Sequence, residues 1–362
     1  MKLVSTFPKD PYPTGWFIIG RSHELVAGNV QAVEYFGEKL VIWRGKKSGK
    51  VYCQDAFCLH MGAHRGVRGW VTGDDLACPW HGWEWDGEGR NSCIPYGSKQ
   101  AKKGVKIRTY PVVEWCGNIM VWYAPEEGEP AWQLPEVSEY GREGWYSPEM
   151  RTWDVKCHPQ HPVENACDFA HIHYIHGSSE PARQDYFRTF KHLFFSKIDV
   201  LYGGGKDANF LTPAGGKIAS FRTVHAGLPI AIIRWDDGLW PTALITCFTP
   251  IDDKRIRYFF QLMSKRGEGE VGDAWQGRAA RMLQLQLKVA EEDFFIWENM
   301  KTMDAPAYEM TETGPYTDLR HWASQFYPST AASYVPDPNN ALQEGEGDEN
   351  TGRIALREKN AA

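Results

Sequence analysis

Between residues 16 and 123 the apolar positions come in short runs, at 16–19, 33–36, 40–43, 51–53, 75–77, 83–85 and 119–123. Glycine or polar turn residues break each run. Runs this short and this regularly punctuated predict a small all-β unit built of hairpins. The stretch 125–135, with Pro125, Gly128, Pro130 and Pro135, predicts a linker. From about Trp145 the pattern changes. A helical segment is expected over roughly 162–176, and longer β-like runs follow at 186–201, 217–225, 230–235, 243–250 and 255–264. Several of these alternate apolar with polar residues, as strands of a one-sided antiparallel sheet do. Over 271–299 apolar residues recur at Met282, Leu285, Val289, Phe295 and Ile296, which predicts one long amphipathic helix. A sheet followed by a long helix reads as an α+β fold.

Length sharpens this picture. At 362 residues the chain exceeds what one ordinary core holds, so more than one domain is expected. The boundaries are read as 1–135, with a Pro-rich lead-in, then 136–335, then a polar and acidic tail over 336–362 expected to be mobile. A net charge of −6 gives no electrostatic case for nucleic acid. The apolar run 228–233 ends at Arg234, far short of a membrane span, so no transmembrane segment is expected. Residues 1–8 leave no room for a signal-peptide core, and a cytoplasmic location is the expectation. In that compartment the cysteines outside any metal site are expected as free thiols.

Candidate chemistry begins with Cys58-Leu59-His60, a spacer of seventeen residues, then Cys78-Pro79-Trp80-His81. Two Cys and two His could hold a structural zinc. Zinc fingers, however, pair Cys with Cys and His with His. Here each half is mixed, so two facing loops can put both thiolates on one metal and both imidazoles on another. That is the ligand set of a Rieske [2Fe-2S] centre. Gly62 and Gly82 supply the backbone freedom that a cluster-wrapping turn needs. The disulfide-forming cysteines of respiratory Rieske proteins are replaced by Ala63 and Trp80, which points to the soluble, oxygenase or ferredoxin type.

A second constellation runs from Glu164 to His176. Asn165, Asp168 and His171 stand at three-residue steps, which puts them on one face of a helix. His171 and His176 can share a metal only if the helix ends or bulges between them, and Gly177 agrees with an ending. Two His ask for one carboxylate to complete a 2-His-1-carboxylate site for Fe(II) and O₂. Glu291, Glu292 and Asp293 are all available on the long helix, with Asp273 and Glu298 further off, and spacing does not choose among them.

Both signatures, C-x-H…C-x-x-H and N-x-x-D-x-x-H-x(4)-H, are intact, and the chain resembles Rieske non-haem iron oxygenase α-subunits over roughly residues 10–330. Within that family it resembles the oxygenase components of 3-ketosteroid 9α-hydroxylase and other sterol-acting members. Stretches 12–17, 83–87, 94–96, 119–122, 293–299 and 319–327 carry the narrower match. The resemblance implies an N-terminal Rieske domain and a helix-grip, START-like catalytic domain. It implies His171, His176 and Asp293 as iron ligands, with Asp168 bridging a cluster histidine of a neighbouring subunit to an iron-ligand histidine. Asn165 is implied near the iron, and a head-to-tail homotrimer is the implied assembly. His173, between the two ligands, is an additional candidate imidazole.

Hydroxylation of an unactivated C–H bond by O₂ needs two further electrons and two protons. No G-x-G-x-x-G fingerprint is present; Gly203-Gly204-Gly205-Lys206 lacks the spacing. A separate NADH-dependent flavin/iron-sulfur reductase is therefore the expected electron source. Trp235, Trp240, Phe248, Phe260 and Phe294 are candidates to line an apolar steroid pocket. The principal expectation is 9α-hydroxylation of a 3-ketosteroid. The alternatives are hydroxylation or desaturation at another sterol position, an electron-transfer protein without catalytic iron, and a zinc-stabilised binding module.

Overall fold

The computed structural model describes residues 7–97, 100–202, 217–237 and 240–360, and two compact units emerge. The smaller comprises Thr14–Gln133 and Thr249–Asp253, and the larger takes the rest. The glycine-punctuated runs of the smaller unit become strands. In chain order these are β1 (Gly15–Arg21), β2 (Val30–Tyr35), β3 (Glu38–Arg44), β4 (Val51–Asp55), β5 (Trp70–Thr72), β6 (Asp75–Ala77), β7 (Glu84–Trp85), β8 (Asn91–Cys93), β9 (Thr109–Tyr110), β10 (Val112–Trp115) and β11 (Asn118–Tyr123). They form three sheets, ordered β1-β11-β10, β2-β3-β4-β9 and β5-β6-β7-β8. Val41, Trp43, Ala56, Val71 and Leu76 pack together between the last two, so strands too short to be stable singly share one core. The second cluster loop is a hairpin tip, closed by the Ala77↔Glu84 pair. The first is not a tip between regular strands. It lies in the connection from β4 to β5 and is closed by one isolated Phe57↔His64 bridge.

In the larger unit the elements are β12 (Glu149–Val155), α1 (Gln160–Glu164), α2 (His171–Tyr174), β13 (Arg183–Phe190), β14 (Leu193–Tyr202), β15 (Lys217–Ala226), β16 (Ile230–Asp237), β17 (Thr242–Pro250), β18 (Ile256–Ser264), α3 (Gly277–Trp297), α4 (Thr313–Ala323), α5 (Pro328–Ala331) and α6 (Thr351–Asn360). The run expected as one strand over 186–201 is two. Lys191 takes a left-handed conformation, φ 50°, and turns β13 back onto β14. A seven-stranded sheet results, ordered β12-β18-β17-β16-β15-β14-β13. Helix α3 begins at Gly277 rather than near 271, because Gln276 is extended at φ −128°, ψ 169°. Its buried residues, Ala279, Met282, Gln286, Ala290, Asp293 and Trp297, recur every three or four positions and so form one stripe.

Three expectations are corrected here. The sheet is not one-sided: β17 is buried at every position, because the face opposite α3 is covered as well. On that opposite face Tyr186, Phe195 and Val224 pack against Leu342 and Ala355. Those last two residues belong to the stretch expected as a mobile tail. Its acidic residues are partly consumed inside the fold: Asp348 pairs with Arg234 and accepts the Asn350 and Thr351 N–H groups, both at 2.8 Å, which starts α6. The lead-in also changes place. Phe7 is buried in the larger unit, with its ring 4.8 Å from His158 and 5.2 Å from His161.

Arg234 carries a measurable share of this packing. It is 8% exposed, bonds Glu139 through Nε at 2.6 Å and Nη2 at 3.0 Å, and pairs with Asp348. Arg234→Ala leaves two buried carboxylates without their cation, so a destabilisation of about 3–5 kcal/mol is expected by chemical denaturation. A change below about 1 kcal/mol would mean that the network is dispensable.

Candidate active site

The cluster loops of the smaller unit are near copies of each other. In the first, Gly62 N–H donates to Cys58 O at 2.9 Å and Cys58 N–H to Ala63 O at 2.9 Å. In the second, Gly82 N–H donates to Cys78 O at 3.0 Å and Cys78 N–H to Trp83 O at 2.9 Å. Both glycines have φ near +70° (74° and 70°), which a side chain would strain. Cys58 and Cys78 are each 2% exposed, and all eight cysteines are free. The His60 and His81 ring centroids stand 4.6 Å apart, and His60 stacks on Trp83 at 4.4 Å. Burial, with Cys78 close by, pushes the Cys58 thiol pKa up, so a proton must be displaced by something that binds sulfur strongly. His60 Nδ1 is buried with no hydrogen-bond partner. Two buried unpaired thiols beside two converging imidazoles, one with an orphaned nitrogen, fit a [2Fe-2S] cluster of the Rieske type. Beneath them the fully buried Arg65 is held by Gln54 Oε1 at 2.8 Å and Asp55 O at 2.5 Å.

In the larger unit the helix expected over 162–176 is interrupted. Asp168 is the reason. Its Oδ1 accepts the N–H groups of Ala170 (3.1 Å) and His171 (3.0 Å), which starts a new short helix, α2, instead of continuing α1. Asn165, Asp168 and His171 therefore do not share a continuous helix face. Helix α2 then ends at Tyr174, and Gly177 turns the chain at φ +72°. That ending brings the His171 and His176 rings to 5.2 Å. His171, His176 and the buried Asp293 each offer a donor atom, all within 4.8 Å of one another. His176 Nε2 lies 3.3 Å from Asp293 Oδ1.

The stripe on α3 resolves the choice of carboxylate. Asp293 is on the buried face, while Glu291, Glu298 and Asp273 are exposed. Glu292, at the edge of the stripe, sits 3.1 Å from His176 Nδ1. This leaves Nε2 as the ring's other nitrogen, the usual arrangement of a carboxylate behind a metal-binding imidazole. Burial opposes charge on His176, but Asp293 and Glu292 outweigh it and hold its pKa above the ordinary value. Asn165 Nδ2 donates to Asp293 Oδ2 at 3.0 Å, and Trp297 Nε1 to Asn165 Oδ1 at 3.4 Å, so one carboxylate oxygen is fixed and the other, Oδ1, faces His176 Nε2. His173 stands apart, its Nδ1 bonded to Ser178 O at 2.5 Å. Two imidazoles and one oriented carboxylate fit a mononuclear iron.

Asp168 Oδ1 lies 3.5 Å from His171 Nδ1. Burial works against its ionisation, yet hydrogen bonds from His171 and Tyr316 keep its pKa below the usual carboxylate value. Sequence spacing does not single out Tyr316, and it offers Glu292 only as a candidate iron ligand, not as the group behind His176.

A cavity of about 160 Å³ opens from the triad between α3 and the sheet. Alternation supplies its wall: Phe221, Thr223 and His225 from β15, Ala231, Ile233 and Trp235 from β16, and Leu244, Thr246 and Phe248 from β17. Tyr258 comes from β18, and Gln286, Ala290 and Trp297 from the α3 stripe. Of the expected lining residues, Trp235 and Phe248 are there. Trp240, Phe260 and Phe294 are not among the residues lining it. Trp240 bonds Lys265 O at 2.6 Å, while Phe260 and Phe294 pack on Trp153. Alternation back from Phe248 and i+4 steps from Asp293 were the signals that would have found Thr246 and Trp297.

Comparison with known proteins agrees with this geometry. The Rieske [2Fe-2S] domain matches residues 15–111, and the 3-ketosteroid 9α-hydroxylase C-terminal domain matches 121–327, more than half of the chain. A probable 3-ketosteroid-9-alpha-monooxygenase oxygenase component from Rhodococcus rhodochrous is 31% identical over 88% of this chain and 81% of its own. Cholesterol 7-desaturase from Caenorhabditis elegans is 28% identical over 90% and 79%. In fold, dicamba monooxygenase bound to dicamba superposes with a TM-score of 0.68 at 16% identity, over 90% of this chain and 99% of that one. The chain thus belongs to the Rieske non-haem iron oxygenases, in the family defined by the 3-ketosteroid 9α-hydroxylase C-terminal domain, and is an enzyme whose cofactors are a Rieske [2Fe-2S] cluster and a mononuclear iron.

Proposed function

We propose that this chain is the terminal oxygenase of a multicomponent monooxygenase that hydroxylates a steroid, a 3-ketosteroid at C9, within steroid degradation in the cytoplasm. The observation that carries the reading is the apolar cavity opening directly from the His171, His176 and Asp293 triad, in a chain 31% identical to an enzyme named for that reaction. Cys58, Cys78, His60 and His81 hold the cluster, and His171, His176 and Asp293 hold the iron. Bound there, iron supplies the activation of O₂. The chain's own residues do the rest. Asn165 keeps Asp293 in one orientation, Asp168 links His171 to the cluster histidine of a neighbouring subunit in a homotrimer, and Trp297, Tyr258 and Phe248 keep water from the reacting carbon. Electrons come from a separate NADH-dependent flavin/iron-sulfur reductase. At about 160 Å³ the cavity is smaller than the roughly 300–1,000 Å³ typical of clefts for drug-sized ligands, so a four-ring nucleus must spread the lining side chains as it enters.

A second reading, desaturation of a sterol, is favoured by the match to cholesterol 7-desaturases, including one from Xenopus laevis that is 40% identical over 166 residues. The test is incubation with reductase, NADH and androst-4-ene-3,17-dione under ¹⁸O₂. A product heavier by one labelled oxygen, placed at C9 by NMR, supports hydroxylation. Loss of two hydrogens supports desaturation. No turnover by protein with cluster and iron in place would overturn the assignment to this substrate.

A further inference from the structure

Away from the triad and Asn165, the polar side chains lining the cavity are Thr223, His225, Thr246, Tyr258 and Gln286. A threonine or tyrosine hydroxyl can donate or accept, and a glutamine amide can do both. His225 differs, because its polarity is fixed. Its ring is 2% exposed, stacked on Phe194 at 5.3 Å and edge-on to Trp322 at 6.3 Å. Its Nδ1 lies 3.3 Å from Leu228 O. A carbonyl only accepts, so that nitrogen carries the proton. Burial lowers the pKa of the ring to about 4, so near neutrality there is no second proton. Nε2 is then a bare lone pair, with no protein donor paired to it among the described residues.

A ketone brought against that lone pair would oppose acceptor to acceptor. A hydroxyl would donate. Resting on the reading of this cavity as a steroid site, we propose that the substrate carries a hydroxyl group that donates its hydrogen bond to His225 Nε2. The substrate class is thereby a hydroxylated steroid or sterol rather than a nucleus bearing only ketones. Thr223, Thr246, Tyr258 and Gln286 remain able to serve a keto group elsewhere on the same molecule.

The test is equilibrium dialysis of the full-length, cofactor-loaded protein without reductase. Three ligands of one size are compared: androst-4-ene-3,17-dione, testosterone and dehydroepiandrosterone. They differ in which end carries a hydroxyl. At least one hydroxylated ligand is expected to bind about tenfold more tightly than the dione. In His225→Asn the amide nitrogen keeps the bond to Leu228 O while the Nε2 acceptor is lost. That variant, and His225→Phe, are expected to bring the ligands to within about twofold of one another. Far-ultraviolet circular dichroism and iron retained at the triad report that the larger unit of each variant is folded. Equal affinity of the wild-type protein for all three ligands overturns the proposal and leaves the steroid reading standing, whether or not a variant folds. A hydroxyl preference that survives in folded His225→Asn overturns it too. Failure of all three to bind overturns the steroid reading together with the proposal.

Discussion

His171→Ala is expected to give a protein that is still brown but does not turn over. The triad offers three donor atoms within 4.8 Å, and this change removes one of them, leaving His176 and Asp293. Two donors hold iron poorly, and occupancy of that site should fall to roughly a tenth or less. The four residues proposed to hold the cluster belong to the other unit, so its visible and electron paramagnetic resonance spectra should be unchanged. Iron per chain should drop from about three to about two, since a [2Fe-2S] centre accounts for two. The fold should tolerate the change. The short helix α2 is started by Asp168 accepting backbone N–H groups, and the His171 side chain takes no part in that. Full iron content with residual turnover would remove His171 from the ligand set.

Asp168→Asn tests the other half of the reaction. Asparagine keeps one acceptor oxygen, so the bonds to the Ala170 and His171 N–H groups can survive. It loses the negative charge and the second acceptor, and with them the ability to hold an imidazole N–H on each side. Tyr316 also loses its carboxylate partner. Turnover with reductase should fall on the order of a hundredfold or more, with both metal complements intact. Hydrogen peroxide delivers oxygen already reduced by two electrons. A variant blocked only in electron delivery should therefore still form product when peroxide replaces O₂ and reductase. Loss of the peroxide reaction as well would mean that Asp168 supports the iron rather than the electron path.

The candidate cluster residues were legible because they are local. Each Cys and His pair sits within one tight loop, and a loop of four or five residues has few ways to present a thiolate and an imidazole together. The five-residue step from His171 to His176 carried usable physics for the same reason: it demanded a helix end, and α2 ends at Tyr174. The Asn165, Asp168 and His171 spacing predicts a helix face, and the structure has a break there instead. Spacing cannot tell a side chain that lies on a helix from one that bends back to cap the next.

By itself the sequence determined the α+β division, two candidate sets of metal-binding residues and the presence of the long helix. Those are properties of periodicity and short loops, which a chain states within ten or twenty residues. It did not determine that helix's buried stripe: of the expected apolar positions Met282 is buried, while Phe295 and Ile296 are exposed. Tertiary structure alone decided which of three neighbouring acids faces the imidazoles, that Glu292 backs His176, and that the acidic C-terminal stretch closes over Arg234. It alone also decided which strand residues meet α3 to make the cavity. Each of these depends on register and on the rotation of a helix about its axis. A shift of one residue in a strand, or a quarter turn of α3, would point a different side chain at the iron, and only the packing of the whole sheet against the helix fixes both.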